Sequence, residues 1–385
     1  MFSHPLQSVR RRRVASLTTL ALASAGAAVT TLPAASQATT HRPGAPASFS
    51  SRVFASGATI THAIPGGHAA VSKPDDITTL DGRIFVSFQN GVGPQGQPAS
   101  DGNRDSTIVE FTRTGHEVTQ WDILGKSDGL GADPARHEVI ATVNEDAHSS
   151  LYLINLSGRR DIVHLRYSRP VPSAGGTDSV DVYRGRIIIS ASAPGTTGTA
   201  APQAAYPAAY VAHLAVASGM ATLTPLFGDE ARATPANAGA AATPTRLALT
   251  DPDSNATVPT DAARFGGDFE LTSQGDQEQI FLSAGSHARR GLSVLKLQDA
   301  VDDSAWPSGP GTLLVTDSGA DQIDAVSGPF TRGQEIAAET PCDANNAPAT
   351  CAANSLVTVD PWTGALAPLP LSGSTPDAGG LLWIG

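Results

Sequence analysis

Cysteine is scarce in this chain of 385 residues, which contains only Cys342 and Cys351. The two lie nine residues apart in a segment rich in Asn, Ala and Pro. This spacing does not suit a zinc site, and no nearby histidine completes one. Because the N-terminal segment indicates export, as described below, the pattern predicts a local disulfide between Cys342 and Cys351.

Basic residues are also few. The chain has 25 Lys and Arg against 36 Asp and Glu, which gives a net charge of −11. An acidic protein without a basic run is a poor partner for nucleic acid or for an anionic membrane. We therefore expect no nucleic-acid partner. A small molecule, a sugar or a protein remains open as ligand, and we expect the protein to be a monomer.

Long helical patterns are absent, and no phosphate-binding loop, dinucleotide fingerprint or Gly-x-Ser-x-Gly motif occurs. Apolar residues instead form short groups such as Phe85-Val86, Ile187-Ile188-Ile189 and Leu313-Leu314-Val315. Glycine and proline are frequent between these groups. The pattern is typical of an all-β protein with many turns.

The N-terminus has the features of an export segment. Four consecutive arginines at 10–13 precede an uncharged stretch from Val14 to Leu32, and Ser36-Gln37-Ala38 resembles a cleavage site. Residues 1–38 are therefore predicted to be a secretory signal peptide, with a twin-arginine signal as an open variant. We expect a secreted, extracellular protein with no membrane association after signal removal. Removal takes away four arginines and no acidic residue, which leaves a net charge of −15.

Residues 39–52 are rich in Ser, Thr, Pro and Ala, and they are predicted to be a flexible leader.

The remaining segment, 53–385, contains a repeated feature. Pro74-Asp75-Asp76-Ile77 is followed by an Asp-Gly turn and a second apolar strand, a pattern that predicts a β-hairpin. This pattern occurs six times. In each repeat an aspartate stands just before the first strand, at Asp75, Asp128, Asp178, Asp268, Asp302 and Asp377.

A repeated strand-turn-strand unit predicts a β-propeller. We expect a six-bladed propeller over residues 53–385. The sixth repeat has only two strands before the chain ends at Gly385, while the strand-like residues 53–62 lack a partner. We expect this N-terminal stretch to complete the last blade, beside residues 381–384, because closure leaves no exposed sheet edge.

The six aspartates would form a ring at one mouth of the central channel. Carboxylates this close raise one another's pKa, and a hard cation with oxygen ligands, Ca²⁺ or another divalent ion, would relieve the repulsion. The alternative is structural, because an aspartate before a strand often caps backbone N–H groups.

A second set of polar residues follows the second strand of several repeats and is predicted to face the same mouth, where it would bind a ligand. His148 could serve there as a base. The alternative for His148 is an ordinary surface histidine, and for the other members it is ordinary turn chemistry. Its members are Gln89, Asn90, Asn144, Glu145, Asp146, His148 and Asp317.

The segment Asp251-Pro252-Asp253-Ser254-Asn255 has acceptors at alternate positions, as at the start of an EF-hand loop. It lacks the glycine at the sixth position, and Ala262 stands where the loop has a glutamate. Either a peripheral calcium site or a plain turn is therefore expected.

Two motifs resemble a known family. The stretch from Leu314 to Ile323 resembles the second and third strands of an NHL repeat, and Ser127-Asp128-Gly129-Leu130 resembles the Pro-Asp-Gly-Met element of the gluconolactonase/regucalcin family. The resemblance implies that Asp128 is a divalent-metal ligand, with Asp75 and Asp178 at the place of a family asparagine. The family's early glutamate ligand has no counterpart here.

Two functions are therefore expected as alternatives. The first is a secreted propeller that binds a ligand or partner at the channel mouth, with Ca²⁺ in the aspartate ring. The second, implied by the resemblance, is a metal-dependent hydrolase of lactones or esters.

Overall fold

The computed structural model describes residues 48–158, 161–172, 175–193, 206–284 and 291–385. They form mostly antiparallel β-sheets, with short 3-10 turns at Gly57–Thr59 and Val216–Ser218, so the all-β prediction is confirmed. The predicted signal peptide 1–38 lies outside the described residues, as does the predicted leader up to residue 47. Within the described ranges, no helix is both long and apolar enough to span a membrane.

The first part of the chain forms three strands and then three sheet units that are continuous in sequence. The leading strands are β1 (Phe49–Ser56), β2 (Thr61–Ile64) and β3 (Gly67–Ala70). Unit 1 comprises β4 (Pro74–Leu80), β5 (Arg83–Phe88), β6 (Asp105–Phe111) and β7 (Glu117–Leu124). Unit 2 comprises β8 (Ser127–Asp133), β9 (Glu138–Val143), β10 (Ser150–Asn155) and β11 (Ile162–Tyr167). Unit 3 comprises β12 (Thr177–Tyr183), β13 (Arg186–Ala191), β14 (Pro207–Ala215) and β15 (Met220–Gly228). The outer strands β11 and β15 pair in parallel and join units 2 and 3 into one eight-stranded sheet.

Unit 4 departs from the sequence prediction. Its strands are β16 (Arg232–Pro235), β17 (Thr245–Arg246), β18 (Pro252–Thr257), β19 (Phe269–Ser273), β20 (Glu278–Leu282) and β21 (Leu292–Lys296). From the centre outward the order is β18, β19, β20, β21, β16, β17. The innermost strand is therefore the segment with EF-hand-like spacing. The strand that follows Asp268 is the second strand, not the first.

Units 5 and 6 exchange strands along the chain. The remaining strands are β22 (Val301–Ala305), β23 (Thr312–Asp317), β24 (Gln322–Ser327), β25 (Ile336–Glu339), β26 (Ser355–Val359), β27 (Leu366–Pro368), β28 (Leu371–Ser372) and β29 (Ala378–Ile384). Unit 5 has the order β22, β25, β26, β27, and unit 6 has the order β29, β23, β24, β1, β28. The NHL-like hairpin β23–β24 follows β22 in sequence but does not pair with it. Instead, β23 pairs with β29, the last strand of the chain.

The N-terminal strand pairs with C-terminal strands, as predicted. β1 runs antiparallel to β24, from Ser50 opposite Ser327 to Ser56 opposite Gln322. The predicted neighbour was wrong, because β29 pairs with β23 and the hairpin separates it from β1. The sheet also begins earlier than residue 53. β1 starts at Phe49, whose ring lies 4.8 Å from that of Phe330.

The innermost strands contact one another in a closed cycle, β4, β8, β12, β18, β22, β29 and back to β4. Apolar side chains fill the spaces between successive units. Phe85 and Trp121 of unit 1, for example, share a core with Leu130 and Val139 of unit 2. Because each unit buries one apolar face against the next, burial of apolar area stabilises the cycle as a whole. The arrangement is propeller-like, and the starts of the inner strands meet at one central cavity.

Candidate functional site: the central cavity

Each of the six inner strands described above begins with a β-bulge at the same place. Pro74 pairs with Phe88 and Ile77 with Val86, so the two residues between them have no partner in the ladder. A bulge re-aims a side chain away from the sheet. The first unpaired residue of each bulge is Asp75, Asp128, Asp178, Asp253, Asp302 and Gly379.

Four of the six predicted ring members lie together. Together with Asp253, they line one cavity of about 230 Å³ at the centre of the cycle, and the four are Asp75, Asp128, Asp178 and Asp302. We call these five aspartates the aspartate ring. The sequence prediction omitted Asp253 because its segment has the spacing of a calcium loop.

The other two predicted members were wrong. Asp268 precedes β19 at the end of unit 4 opposite to Pro252, and its carboxylate accepts a hydrogen bond of 2.8 Å from the backbone N–H of Ala284. Asp377 is exposed, one residue ahead of the bulge. Gly379 takes the sixth ring position, which leaves a gap in the ring of carboxyl groups.

Hydrogen bonds between units hold the bulges in place. The Oγ1 atoms of Thr142 and Thr316 donate to the backbone oxygens of Asp178 and Asp75 in the next unit. Next to Asp75, the carboxylate of Asp76 also lines the cavity and accepts from the N–H of Leu130 at 2.6 Å. In the same way Asp303 accepts from the N–H of Leu381 at 2.7 Å. The carboxyl groups are therefore carried by a backbone that neighbouring units hold rigidly.

Lys126 supplies positive charge to the cavity. Its Nζ lies 2.8 Å from Oδ1 of Asp128 and forms an ion pair with Glu145. The backbone N–H of Lys126 donates to Oδ1 of Asn144 at 3.1 Å, which positions the start of β8. Burial opposes the charged ammonium, but the surrounding carboxylates of Asp128, Glu145 and Asp75 outweigh it and raise the pKa of Lys126.

Carboxyl groups far outnumber this single ammonium. Among the described residues that line the cavity, nine are Asp or Glu and one is Lys or Arg. Burial raises the pKa of Asp75 to about 7, with Lys126 opposing the rise and Asp302 adding to it. Burial also raises the pKa of Asp178 and Asp253 well above the ordinary range, and neighbouring carboxylates add to the effect. Burial likewise raises the pKa of Asp302, while its contact with Asp253 opposes the rise.

The second predicted set is divided by the structure. Glu145 lines the cavity, and Nε2 of Gln89 lies 3.4 Å from Oδ1 of Asp128. Asp146 and His148 are not among the lining residues. The backbone oxygen of His148 instead accepts from Nδ2 of Asn144 at 3.5 Å.

The remaining members have structural partners, as the turn-chemistry alternative expects. Asn90 is buried, its Oδ1 accepts from the N–H of Ser72 at 3.0 Å, and its Nδ2 donates to Thr107 at 2.9 Å. Asp317 accepts from the N–H of Ala320 at 2.9 Å and so closes the β23–β24 turn.

Two site residues were missed from the sequence, Lys126 and Asp253. Lys126 stands directly before the Ser127-Asp128-Gly129 element, and this position could have marked it as a counter-ion. Asp253 follows a proline, as Asp75 does, but Asp377 does so too, and the Pro-Asp pair therefore does not by itself mark a ring position.

The donor set suits a hard cation in chemistry. The cavity offers carboxyl and amide oxygens, and Oδ2 of Asp128 and Oδ1 of Asn255 are buried without a hydrogen-bond partner among the described residues. Such oxygens are the ligands that Ca²⁺ prefers. In the part of the chain that the structure describes, no three His, Cys, Asp or Glu side chains are already gathered around one metal position. Binding would therefore require carboxyl groups to turn toward one point.

The predicted disulfide is present. Cys342 is bonded to Cys351, with 5.5 Å between their Cα atoms. The loop that they close contacts unit 4, because the N–H of Asn345 donates to the backbone oxygen of Gly275 at 2.8 Å. Burial and the nearby Asp302 raise the pKa of Asp343 in this loop. The disulfide loop therefore adds another carboxyl group near the aspartate ring.

Comparisons with known proteins give structural neighbours only. No family model and no curated protein matches the sequence. The periplasmic gluconolactonase of Pseudomonas aeruginosa is 13% identical, with 82% of this chain and 90% of that chain covered and a TM-score of 0.42. A luciferin-regenerating enzyme is 12% identical, with 69% and 80% covered and a TM-score of 0.36. The WD40 domain of Toxoplasma gondii coronin is 7% identical, with 69% and 58% covered and a TM-score of 0.35. The neighbours thus include gluconolactonase-like proteins at low sequence identity.

Proposed function

We propose that this protein is a secreted, monomeric six-bladed β-propeller that binds a ligand at its central cavity through Ca²⁺ or another divalent cation. One observation carries the proposal: five aspartates on equivalent bulges face one cavity, where Lys126 is the one basic side chain among the described lining residues. The closed cycle of inner strands supports the propeller architecture. The predicted signal peptide supports secretion.

The cation would lie on the side of the aspartate ring away from Lys126. Asp128 is already paired with that ammonium, whereas no ion pair with Lys or Arg is formed by Asp253 or Asp302 among the described residues. Asp253 and Asp302 would hold the ion, with Asp178 and Oδ1 of Asn255 as further ligands. Carboxylates that are protonated without the ion would ionise on binding, so binding would release protons.

A cation held in this way supplies a site for oxygen atoms of a ligand. Ca²⁺ takes six to eight oxygen ligands, and the protein does not have to provide all of them. A cavity of about 230 Å³ admits part of a small molecule or one side chain of a protein partner. Ligands with hydroxyl or carbonyl oxygens therefore fit the site best.

A metal-dependent hydrolase of lactones or esters is the second candidate. It is favoured by Asp75, a half-buried cavity carboxyl whose pKa burial raises to about 7. A group with this pKa can accept and return a proton at neutral pH. A bound divalent cation would supply polarisation of the carbonyl.

The binding proposal is tested by calorimetric titration of metal-free protein with Ca²⁺ and by its melting temperature in millimolar Ca²⁺. A native-state ligand stabilises by about 2.7 kcal/mol at a hundredfold excess over Kd. We expect Ca²⁺ to bind and to raise the melting temperature. Asp178→Asn should lower the Ca²⁺ affinity at least about tenfold and should reduce the rise in melting temperature. Asp268→Asn is the matched control, because this aspartate was in the predicted ring but lies outside the cavity. Absence of heat and of a melting shift would refute the proposal.

The hydrolase is tested separately by following proton release from a δ-lactone. We expect hydrolysis that requires Ca²⁺ and is lost in Asp75→Asn. Ca²⁺ binding without hydrolysis would overturn the enzymatic candidate and leave the binding function standing.

A further inference from the structure

A second cavity, of about 580 Å³, lies at the other end of unit 5. Trp306 comes directly after the last residue of β22, and Glu335 directly before the first residue of β25. Asp302 stands at the opposite end of β22. Four residues of extended strand span about 13 Å, so this cavity is separate from the aspartate ring.

Glu335 is a buried acidic residue in the lining of this second cavity, and one of its carboxyl oxygens has no hydrogen-bond partner among the described residues. It is 2% exposed, and its Oε1 accepts a hydrogen bond from Nε2 of Gln279. Its Oε2 is buried and has no hydrogen-bond partner among the residues that the structure describes. A buried carboxyl oxygen without a partner costs free energy that a ligand hydroxyl would recover.

The neighbouring Glu270 differs in being satisfied. Its Oε1 accepts from Nε2 of Gln279 at 2.8 Å and from Oγ of Ser304 at 3.0 Å, and its Oε2 accepts from Nε1 of Trp306 at 3.1 Å. Glu335 is thus the acidic side chain of this buried pair with an oxygen left for a ligand. The hydrogen bond to Glu270 also holds the Trp306 indole in place.

Two tryptophans line the cavity, Trp306 and Trp362. The Trp362 side chain is 48% exposed at the rim, although an indole is among the largest apolar surfaces that a side chain can expose. A ligand with an apolar face would cover it.

The charged groups at the rim already have hydrogen-bond or ion-pair partners. Arg332 forms an ion pair with Asp261. Arg264 donates to the backbone oxygens of Pro361 and Ala236, and Asp360 accepts from the N–H of Trp362 at 2.8 Å. The rim therefore attracts neither a strong anion nor a strong cation, yet it offers both donors and acceptors.

We infer that this second cavity binds a neutral saccharide. A pyranose ring has an apolar face for an indole and hydroxyl groups for Glu335 and the paired rim charges. An amine is disfavoured, because its positive charge would be repelled by Arg264 and Arg332 at the same rim. The site is independent of the cation proposed for the central cavity.

The test uses the full protein and three disaccharides, cellobiose, maltose and diacetylchitobiose, with tryptophan fluorescence and calorimetry as readouts. We expect at least one of them to bind with millimolar or better affinity. Loss of an aromatic contact in Trp362→Ala should weaken binding about three- to tenfold without unfolding the protein, because the side chain is exposed. Glu335→Gln should also weaken binding, and its melting curve will show whether the fold is retained. Asp178→Asn in the central cavity should leave saccharide affinity unchanged.

The inference is overturned if none of the disaccharides binds, or if Trp362→Ala binds as tightly as the wild type. Binding that Asp178→Asn abolishes would also overturn it, because the saccharide would then occupy the central cavity. Spermidine is the probe for the disfavoured class. If spermidine binds at Glu335 and the disaccharides do not, the cavity is a cation site and the saccharide assignment fails.

Discussion

The ammonium of Lys126 lies 2.8 Å from a carboxylate oxygen of Asp128, the second residue of β8. Glu145, from the loop after β9, completes the ion pair on the other side of Nζ. A cation from one repeat thus neutralises two acids of the same repeat. Lys73 holds the same place before Asp75, but it is exposed and its Nζ donates to the backbone oxygen of Ser318. The central cavity is therefore electrostatically asymmetric.

Removal of this cation should destabilise the metal-free protein. In Lys126→Met, Asp128 and Glu145 would face each other without a counter-charge, and breaking a buried pair costs about 3–5 kcal/mol. We expect a lower melting temperature, and we expect saturating Ca²⁺ to raise the melting temperature of this variant and of the wild type alike, because the ion would bind on the side of the ring away from Lys126. Thermal unfolding with and without Ca²⁺ measures both effects. Lys73→Met, at an exposed lysine, is the control, and equal melting of the two variants would contradict the role of Lys126.

The raised pKa values of the cavity acids make stability depend on pH. Burial raises the pKa of the Asp75 carboxyl from 3.8 in the unfolded chain to about 7 in the folded protein. It raises the pKa of Asp303 from 3.8 to about 8. Between these values the folded state holds more protons than the unfolded state. The metal-free protein should therefore lose stability as the pH rises from about 4 to about 8.

Urea unfolding at several pH values measures this slope. Asp75→Asn removes one of the titrating groups and should make the slope shallower. Asp377→Asn, at an exposed position, should leave it unchanged. If the stability of the metal-free protein instead rises over this range, folding does not raise the pKa of the cavity acids, and the prediction is wrong.

Closure by the N-terminal strand is tested at two adjacent residues of β1. Phe54 is buried, with its ring 6.3 Å from that of Phe111 in unit 1, whereas the neighbouring Val53 is 51% exposed. We expect Phe54→Ala to cost about 3–5 kcal/mol of unfolding free energy. Val53→Ala should cost little, because its side chain faces solvent. Equal losses in chemical denaturation would mean that β1 does not contribute its buried face to the core.

The last pair of substitutions concerns the glycines of the sixth bulge. A Cβ on Gly380 would clash with the backbone oxygen of Asp75 in the next unit. A Cβ on Gly379 would lie 3.2 Å from Oγ1 of Thr316 and 3.5 Å from Oδ2 of Asp302, where side chains can adjust. We expect Gly380→Ala to lose about 1–3 kcal/mol more than Gly379→Ala, since overpacking against backbone cannot relax. Similar stabilities in urea would show that unit 6 does not pack this closely against unit 1.

Local pattern was enough for units 1 to 3. Each of their inner hairpins closes over a short turn, such as Asp81-Gly82, and the aspartate lies at the start of its first strand. In these units the strand that follows in sequence is also the neighbour in the sheet. The positions of Asp75, Asp128 and Asp178 could therefore be predicted from residue order alone.

The later units could not be predicted in this way. The segment Gly267-Asp268-Phe269 matches the repeat as well as Pro252-Asp253-Ser254 does, and only the pairing of Thr257 with Phe269 shows which strand is innermost. Likewise β22 is followed in sequence by β23, but its partner in the sheet is β25. Strand register over such distances depends on which apolar faces become buried together, and a short sequence window does not contain that information.

The sequence by itself therefore determined the β class, the repeated hairpin, the disulfide and four members of the aspartate ring, because each depends on contacts between near neighbours or on a local motif. The tertiary structure decided that Asp253 and Gly379 complete the set of bulge positions and that Lys126 faces Asp128 and Glu145. It also decided that Glu335 lines one cavity with Trp306 and Trp362. The bulge residues come from segments far apart in the chain, and they meet because packing between units brings their strand ends together.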